Sequence, residues 1–360
     1  MVLPFWHSDS DGEVSQMRRA VSVPIALALF AGACGGAGTA PGSASSGGAA
    51  ATATATPAPA PVDLQVSYSN VIGDELPLWA TKEGGLFEQQ KLNVTLQNIA
   101  SAQGVPALIA GQTQFAQVGG SETLSANAGG ADLVVVAQIT GVYPFVLEVS
   151  SDIKNTTDLK GKKVGVSSVG SSSDIATRVA LRKLGLDPDK DVTIVAVGSS
   201  QQRTAALLAG AIQAGVSQPP DSIALEEKGF HVLYDLASQK LPSANTSVVV
   251  KRDYLNANRG VVQRYVDALF LGIKKVKSDR AFGVQVLKKY FQSTDDKAMG
   301  ATYEFYALTV TPSQPVPRPE QFADAQTTLG ATNAKVKDYD VTKMLDQSFT
   351  KSAIDRGLDK

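Results

Sequence analysis

Serine and glycine residues stand where two predicted strands lead into helices, and these turns could hold a small anion. Ser167–Asp174 reads Ser-Ser-Val-Gly-Ser-Ser-Ser-Asp between the predicted strand 163–166 and a helix that starts at Ser173. Gly119-Gly120-Ser121 follows the predicted strand 115–118 in the same way. Free backbone amides and the positive end of the helix dipole make such turns acceptors for carboxylate, sulfonate or phosphate. The alternative is that Ser172 or Ser173 only caps its helix. Capping explains one serine, but not a glycine followed by three.

Three further polar segments are weaker candidates for the same site. Ser69-Asn70 follows the first predicted strand, and Gln201-Gln202-Arg203 lies between a predicted strand and a helix. Gln218 follows a short strand at 215–216 and precedes two prolines, which more often mark a turn than a binding site. For Gln201–Arg203, an exposed polar helix start is an equal alternative.

The sequence offers little for catalysis, metal binding or nucleic acid. It contains no Gly-x-Ser-x-Gly, Walker or His-Glu-x-x-His motif. Ser151 and Lys154 fit Ser-x-x-Lys, which we interpret as a chance match because its partner motifs are absent. With one cysteine and two histidines, no thiolate metal site or cofactor is expected. The net charge of -1 gives no basic field for nucleic acid.

The single cysteine, Cys34, ends a segment typical of an export signal. Two arginines, an apolar run and Ala31-Gly32-Ala33 precede it, in the order of a secretory signal peptide. The segment resembles a bacterial lipobox, although that pattern prefers Leu three residues before the cysteine. We therefore predict a lipidated Cys34, with an ordinary signal peptide and an incidental cysteine as the alternative.

The residues on either side of this signal have different predicted roles. Residues 1–16 carry three acidic side chains and are predicted to be a mis-assigned leader, so that the signal peptide is 17–33. Residues 34–61 are rich in Gly, Ala, Ser, Thr and Pro, have no charge and are predicted to form a disordered tether. As a random coil, it would hold the following domain on the order of 30 Å from the membrane.

Beyond residue 61, buried runs alternate with helices in two successive units. Strands are predicted at 64–68, 92–96, 115–118 and 133–137, and the pattern restarts at 163–166. Such alternation is typical of α/β domains with mostly parallel sheets. After residue 253 the pattern is mainly helical. The sequence therefore predicts two α/β lobes, a cleft between them and a helical C-terminal part.

Several segments resemble the nitrate/sulfonate/taurine solute-binding proteins of ABC importers. The segments are Pro77–Glu88 with Leu92–Val94, Asp158–Val166 with Leu184–Leu186, and Ala205–Gly210. They cover both predicted lobes in order. The resemblance implies a type II periplasmic-binding fold with a discontinuous lobe I (62–148 and 249–360) and a lobe II (149–248). We expect hinges near Leu147–Ser151 and Ser247–Lys251.

The resemblance also implies which positions face the ligand. They are Asn70, Gly119, Gly120, Ser121, Ser171, Ser172 and Gln218. This chain departs from the pattern at Gln213-Ala214, where the family often has Asp-Ala. No arginine stands in a predicted cleft turn where it could clamp an anion. The specificity of nitrate or taurine binders therefore cannot be transferred.

The expected function is that of an exported, lipid-anchored monomeric receptor that delivers a small solute to an ABC permease and its ATPase. The solute would be polar or anionic, in the sulfonate, taurine, nitrate, pyrimidine or carboxylate class. Two alternatives stay open at this point. One is an enzyme of the same fold related to pyrimidine synthesis, although such enzymes need histidine and cysteine. The other is a sensor lipoprotein that presents its ligand to a membrane receptor.

Overall fold

A computed structural model describes residues 60–360, and the predicted leader, signal peptide, Cys34 and nearly all of the tether lie outside these residues. The described strands form two five-stranded sheets. Their bounds are β1 Val62–Tyr68, β2 Leu92–Asn98, β3 Phe115–Val118, β4 Leu133–Val142, β5 Val146–Val149, β6 Lys163–Val166, β7 Thr193–Ala196, β8 Ala214–Ser217, β9 His231–Asp235 and β10 Pro242–Lys251.

Helices cover both sheets and make up most of the C-terminal part. Those before β10 are α1 Leu76–Glu83, α2 Leu86–Gln89, α3 Ser101–Ile109, α4 Gly120–Ala128, α5 Ser172–Lys183, α6 Ser200–Leu208, α7 Asp221–Glu226 and α8 Leu236–Gln239. Those after it are α9 Arg252–Ala257, α10 Arg259–Ser278, α11 Arg280–Phe291, α12 Asp296–Tyr303, α13 Ala323–Gly330, α14 Ala334–Lys337 and α15 Ser348–Asp355. Short 3₁₀ segments lie at Gly73–Glu75, Thr156–Leu159, Pro319–Phe322 and Val341–Met344, and a π-helix at Glu304–Val310.

The order of strands defines two lobes. Lobe I contains the sheet β2-β1-β3-β10-β4, and lobe II contains the sheet β7-β6-β8-β5-β9. In lobe I, β1 pairs in parallel with β2 and β3, whereas β10 runs antiparallel to β3 and β4. In lobe II, β6 is parallel to β7 and β8, and β5 is antiparallel to β8 and β9. The predicted α/β class with mixed, mostly parallel sheets and a helical C-terminal part is confirmed.

The chain passes between the sheets a few residues earlier than the predicted lobe boundaries. It leaves the first sheet after β4 and enters the second at Val146, so the predicted hinge at Leu147–Ser151 starts inside β5. It returns before Pro242, so the segment Ser247–Lys251 lies within β10. Two hydrogen-bonded strands are poor hinges because bending there breaks a sheet ladder. The crossings at 143–145 and 240–241 are the better hinge candidates.

Two large apolar clusters hold the lobes together. In lobe I the sheet packs against α1 and α10, and Trp79, Phe87 and Tyr265 are fully buried there. The second cluster contains residues of both sheets, including Val118, Leu147 and Val164. Because this core is continuous across the lobes, it fixes the position of the strand ends that face the cleft.

Candidate functional site

The strand ends of both lobes surround a small polar cavity, which we call the inner cavity. Its volume is about 40 Å³. Its lining includes Asn70, Gly119, Ser171, Ser172, Arg203 and Gln218. In open α/β sheets, ligands bind at this place, beyond the carboxyl ends of the strands. The space suits a group of a few heavy atoms, since about one water-sized probe fills 10–15 Å³.

Five of the seven predicted positions line the inner cavity, and two do not. Asn70, Gly119, Ser171, Ser172 and Gln218 are part of its wall. Gly120 instead packs behind it, because a Cβ there would overlap with Ala244 and Phe322. Ser121 lines a neighbouring small pocket beside Ser172 and donates a hydrogen bond to Glu122 (2.8 Å).

The serine turn before α5 is held together mainly by its own hydrogen bonds. The Ser171 hydroxyl caps the helix by accepting from the amide of Asp174, and it donates to the carbonyl of Ser168 (2.7 Å). Ser173 accepts from the amide of Ser167 (2.9 Å). Gly170 has φ +83°, a left-handed conformation that side chains rarely adopt. The capping residue is therefore Ser171 rather than Ser172 or Ser173, and hydrogen bonds hold the turn as a whole.

Ser172 reaches across the cleft. Its hydroxyl donates to the main-chain carbonyl of Asn245 on β10 (3.2 Å), which joins lobe II to lobe I. A second bond across the cleft runs from the Gln201 side chain to the carbonyl of Val71 (2.8 Å). The lobes are therefore in contact on both sides of the inner cavity, as in a closed binding cleft.

Glycine is needed at position 119 because neighbouring side chains fill the space that its own side chain would occupy. A Cβ at this position would overlap with the Glu122 carboxylate and the Ser172 hydroxyl. The absence of a side chain thus allows groups of both lobes to approach the same backbone at the start of α4. Glu122 itself also lines the inner cavity, on the lobe I side.

Arg203 belongs to the weaker candidate segment Gln201–Arg203 of the sequence analysis. It lies on the first turn of α6 rather than in a cleft turn, is 3% exposed and lines the inner cavity. Its Nε donates to the carbonyl of Val216 (2.8 Å) and its Nη1 to Ser167 (3.0 Å). Burial lowers the pKa of Arg203 to about 10, with the charge of Asp221 acting in the opposite direction, so the guanidinium is protonated at neutral pH. The sequence expectation concerned arginines in cleft turns, whereas this arginine reaches the cavity from a helix.

The position of Arg203 depends on two glycines on adjacent strands. Its side chain runs over Gly165 on β6 and Gly215 on β8, where a Cβ would lie 3.4 Å from the arginine Cγ in each case. The guanidinium has five N–H groups, and the described residues supply acceptors for two of them. The others are available to a ligand oxygen in the cavity.

Asp74 supports the lobe I wall of the inner cavity from behind. It is fully buried, and its Oδ2 accepts from Thr246 Oγ1 (2.9 Å) and from the side-chain amide of Asn245 (2.5 Å). Both partners line the inner cavity. Burial raises the pKa of Asp74 to about 6, although hydrogen bonds from Thr246, Thr140 and Asn245 oppose this shift. The signal for this contact in the sequence is the polar run Asn245–Ser247, which directly precedes the apolar residues Val248–Val250 of the same strand.

The remaining candidates from the sequence do not form a catalytic or metal site. Ser151 and Lys154 are both exposed on the turn after β5, in agreement with a chance match. Within residues 60–360, no three His, Cys, Asp or Glu side chains stand together as a metal ion would require. In the same range no helix is both long and apolar enough to cross a bilayer.

The fold and the cleft between its two lobes define a protein of the periplasmic-binding class. The chain belongs to the NMT1/THI5-like family, which matches residues 73–279, more than half of the 360-residue chain. The resemblance inferred from the sequence is thereby confirmed. No curated protein sequence matches the chain.

Solved structures with this fold include several solute-binding proteins. The alkanesulfonate-binding protein of Xanthomonas axonopodis pv. citri, bound to MOPS, has a TM-score of 0.66 and 22% identity, covering 81% of this chain and 100% of that one. The aliphatic sulphonate binding protein of Escherichia coli has a TM-score of 0.64 and 23% identity, covering 80% and 93%. The nitrate-binding protein of Synechocystis PCC 6803 has a TM-score of 0.65 and 14% identity, covering 83% and 90%. At these identities the likeness establishes the fold alone.

Proposed function

We propose that this protein is the extracytoplasmic solute-binding component of an ABC importer. It would capture a small polar or anionic organic solute between the lobes and present the closed form to a permease. The observation that carries this proposal is the buried Arg203 guanidinium in a polar cavity enclosed by both lobes. A cation with unused donors in such a cavity favours a ligand with anionic or acceptor oxygens.

The proposed binding cycle uses the two crossings between the sheets as hinges. In the open form, solute would first meet the N-terminus of α5 and Arg203 on lobe II. Closure would then bring Gly119 and Asn70 of lobe I against the solute and form the Ser172–Asn245 and Gln201–Val71 hydrogen bonds. Such hinge closure around a ligand is a common transition in binding proteins. No covalent step is part of the proposal.

The membrane anchor belongs to the proposal as well. Lipidation at Cys34 would attach the protein to the outer face of the cell membrane, and residues 35–61 would act as the tether. We expect a monomer, because one closed cleft is sufficient for the task. The alternatives of an enzyme and of a sensor for a membrane receptor remain as outcomes of the experiments.

A thermal-shift screen of the purified protein tests the proposal. The panel is nitrate, taurine, alkanesulfonates, aromatic carboxylates and pyrimidines. A solute that binds only the folded state and is present at 100 times its Kd should stabilise the protein by about 2.7 kcal/mol. If none of these solutes shifts the melting temperature and the protein turns over a substrate, the receptor function is wrong.

A further inference from the structure

A second and much larger cavity lies between the lobes, outside the inner cavity. Its volume is about 550 Å³. Pro220, Ile223 and Ala224 contribute one wall from the start of α7 in lobe II. The opposite wall comes from the end of α11, with Phe291, and from α12, with Met299. We call this cavity the interlobe groove. Its size and its place between two lobes are typical of small-molecule sites.

The walls of the interlobe groove are largely apolar and well supported. Phe291 packs edge-on against the buried Trp79, with ring centroids 6.0 Å apart. Trp79 also stacks on Tyr290, which lines the groove, at 4.4 Å. Because these rings pack on one another, the aromatic wall is preformed and an apolar ligand would not have to order it.

The charges around the groove are mainly negative. Glu227 and Asp295 line it at exposed positions, against one lysine, Lys297, whereas the charge of Asp221, which also lines it, is opposed by the nearby Arg203. Asp221 accepts a hydrogen bond from Ser200, which itself lines the inner cavity, so the two cavities are neighbours. Fixed carboxylates at an apolar cleft attract cations and disfavour anions. The groove therefore has the opposite charge preference to the cavity at Arg203.

We propose that the interlobe groove is a second binding site, for a small organic cation with an apolar body such as an arylalkylamine. The apolar body contacts the wall formed by Ile223 and Phe291, and the ammonium group lies near Glu227 and Asp295. The occupant contacts both lobes, so it stabilises the closed arrangement. This site does not depend on the solute of the inner cavity, so it can be tested without knowing that solute.

The first test compares three probes of similar size: benzylamine, benzyl alcohol and phenylacetate. Titration calorimetry should give benzylamine the highest affinity and phenylacetate the lowest at the groove. The variant Glu227→Gln with Asp295→Asn removes two carboxylates, and asparagine retains the cap that Asp295 provides to α12. It should weaken benzylamine binding about threefold to tenfold and leave benzyl alcohol unchanged. Equal binding of benzylamine and phenylacetate at the groove, measured as the binding that is lost when the groove is filled as in the second test, would overturn the proposed ligand class, because phenylacetate bound at Arg203 would survive that substitution.

The second test fills the groove. Ala224 is an exposed residue of the groove wall, so Ala224→Trp should occupy the space without disturbing the core. Ala205→Trp, at an exposed position of α6 outside the groove, is the matched control. We expect Ala224→Trp to lower the affinity for benzylamine about tenfold or more, and the control to keep the wild-type affinity. Unchanged binding in Ala224→Trp, or no benzylamine binding by the wild-type protein at millimolar concentration, would refute the site. Benzylamine binding is measured without any solute at Arg203, which separates this result from a failure of the receptor function.

Discussion

The buried Asp74 carboxyl makes the stability of the protein depend on pH in a direction that can be calculated. Its pKa of about 6 in the folded state lies above the ordinary value of 3.8, because burial disfavours the charged form. A raised carboxyl pKa means that the folded state holds its proton more tightly. The contribution to stability is therefore complete at pH values below 3.8 and is lost as the pH rises to about 6.

The magnitude follows from the gap between the two pKa values. About two pKa units correspond to about 3 kcal/mol, since each unit is worth 1.36 kcal/mol. Asp74→Asn removes the titration but keeps an oxygen that can accept from Thr246 and Asn245, which both bond to the same carboxylate oxygen. Between about pH 4 and about pH 7, the free energy of unfolding of the wild-type protein should fall relative to the variant by most of this amount.

Urea unfolding at a series of pH values measures this difference. The absolute stability of Asp74→Asn is not the test, because the new amide nitrogen would take the place of Asp74 Oδ1, a buried atom that has no hydrogen-bond partner. The test is how the difference in the free energy of unfolding between the wild-type protein and Asp74→Asn changes with pH. Asp253→Asn, at an exposed position of α9, is the matched control variant. If this difference does not change with pH for Asp74→Asn, burial does not raise the pKa of Asp74.

Three further predictions concern the cleft and the anchor. Gly119→Ala should weaken solute binding about tenfold while the fold survives, because the new methyl group displaces only the ends of neighbouring side chains. Titration calorimetry measures the loss of affinity. Gly260→Ala, at a position with open space around it, is the control. Ser172→Ala should favour the open form and weaken binding by about 1 kcal/mol, because it removes the bond to Asn245; unchanged affinity and unchanged small-angle scattering would contradict this. Cys34→Ser should release the protein from the membrane in cell fractionation without changing its affinity for solute, and a variant that stays in the membrane fraction would count against lipidation.

Much of the fold could be predicted because local signals coincide with tertiary structure. Apolar runs such as 133–137 and 163–166 are strands of the two sheets. β5 was not predicted. It contains Glu148, whose burial raises its pKa to about 7, and a buried acid is not typical of an interior strand.

The candidate site was only partly predictable, because some of its residues are brought together by contacts between distant parts of the chain. Turn residues such as Gly119 and Ser171 are brought to the inner cavity by their own strand and helix, and this relation can be inferred from sequence order. Arg203 reaches the cavity only because Gly165 and Gly215 leave room on two other strands. Asp74 is a partner of Asn245 and Thr246, which are far away in the chain. Such contacts are set by how strands are ordered in the sheet, which the sequence pattern alone does not determine.

The most direct test of the receptor function is titration calorimetry of the best solute from the screen against wild type, Arg203→Lys and Arg203→Gln. One solute molecule should bind to each protein molecule. A hydrogen bond to a charged group contributes about 1.5–3 kcal/mol, so Arg203→Gln should lose affinity about 10-fold to 150-fold. Arg203→Lys should lose less, because it keeps the charge but not the planar donor geometry. If folded Arg203→Gln binds the solute as tightly as the wild-type protein, the inner cavity is not the binding site and the central claim is wrong.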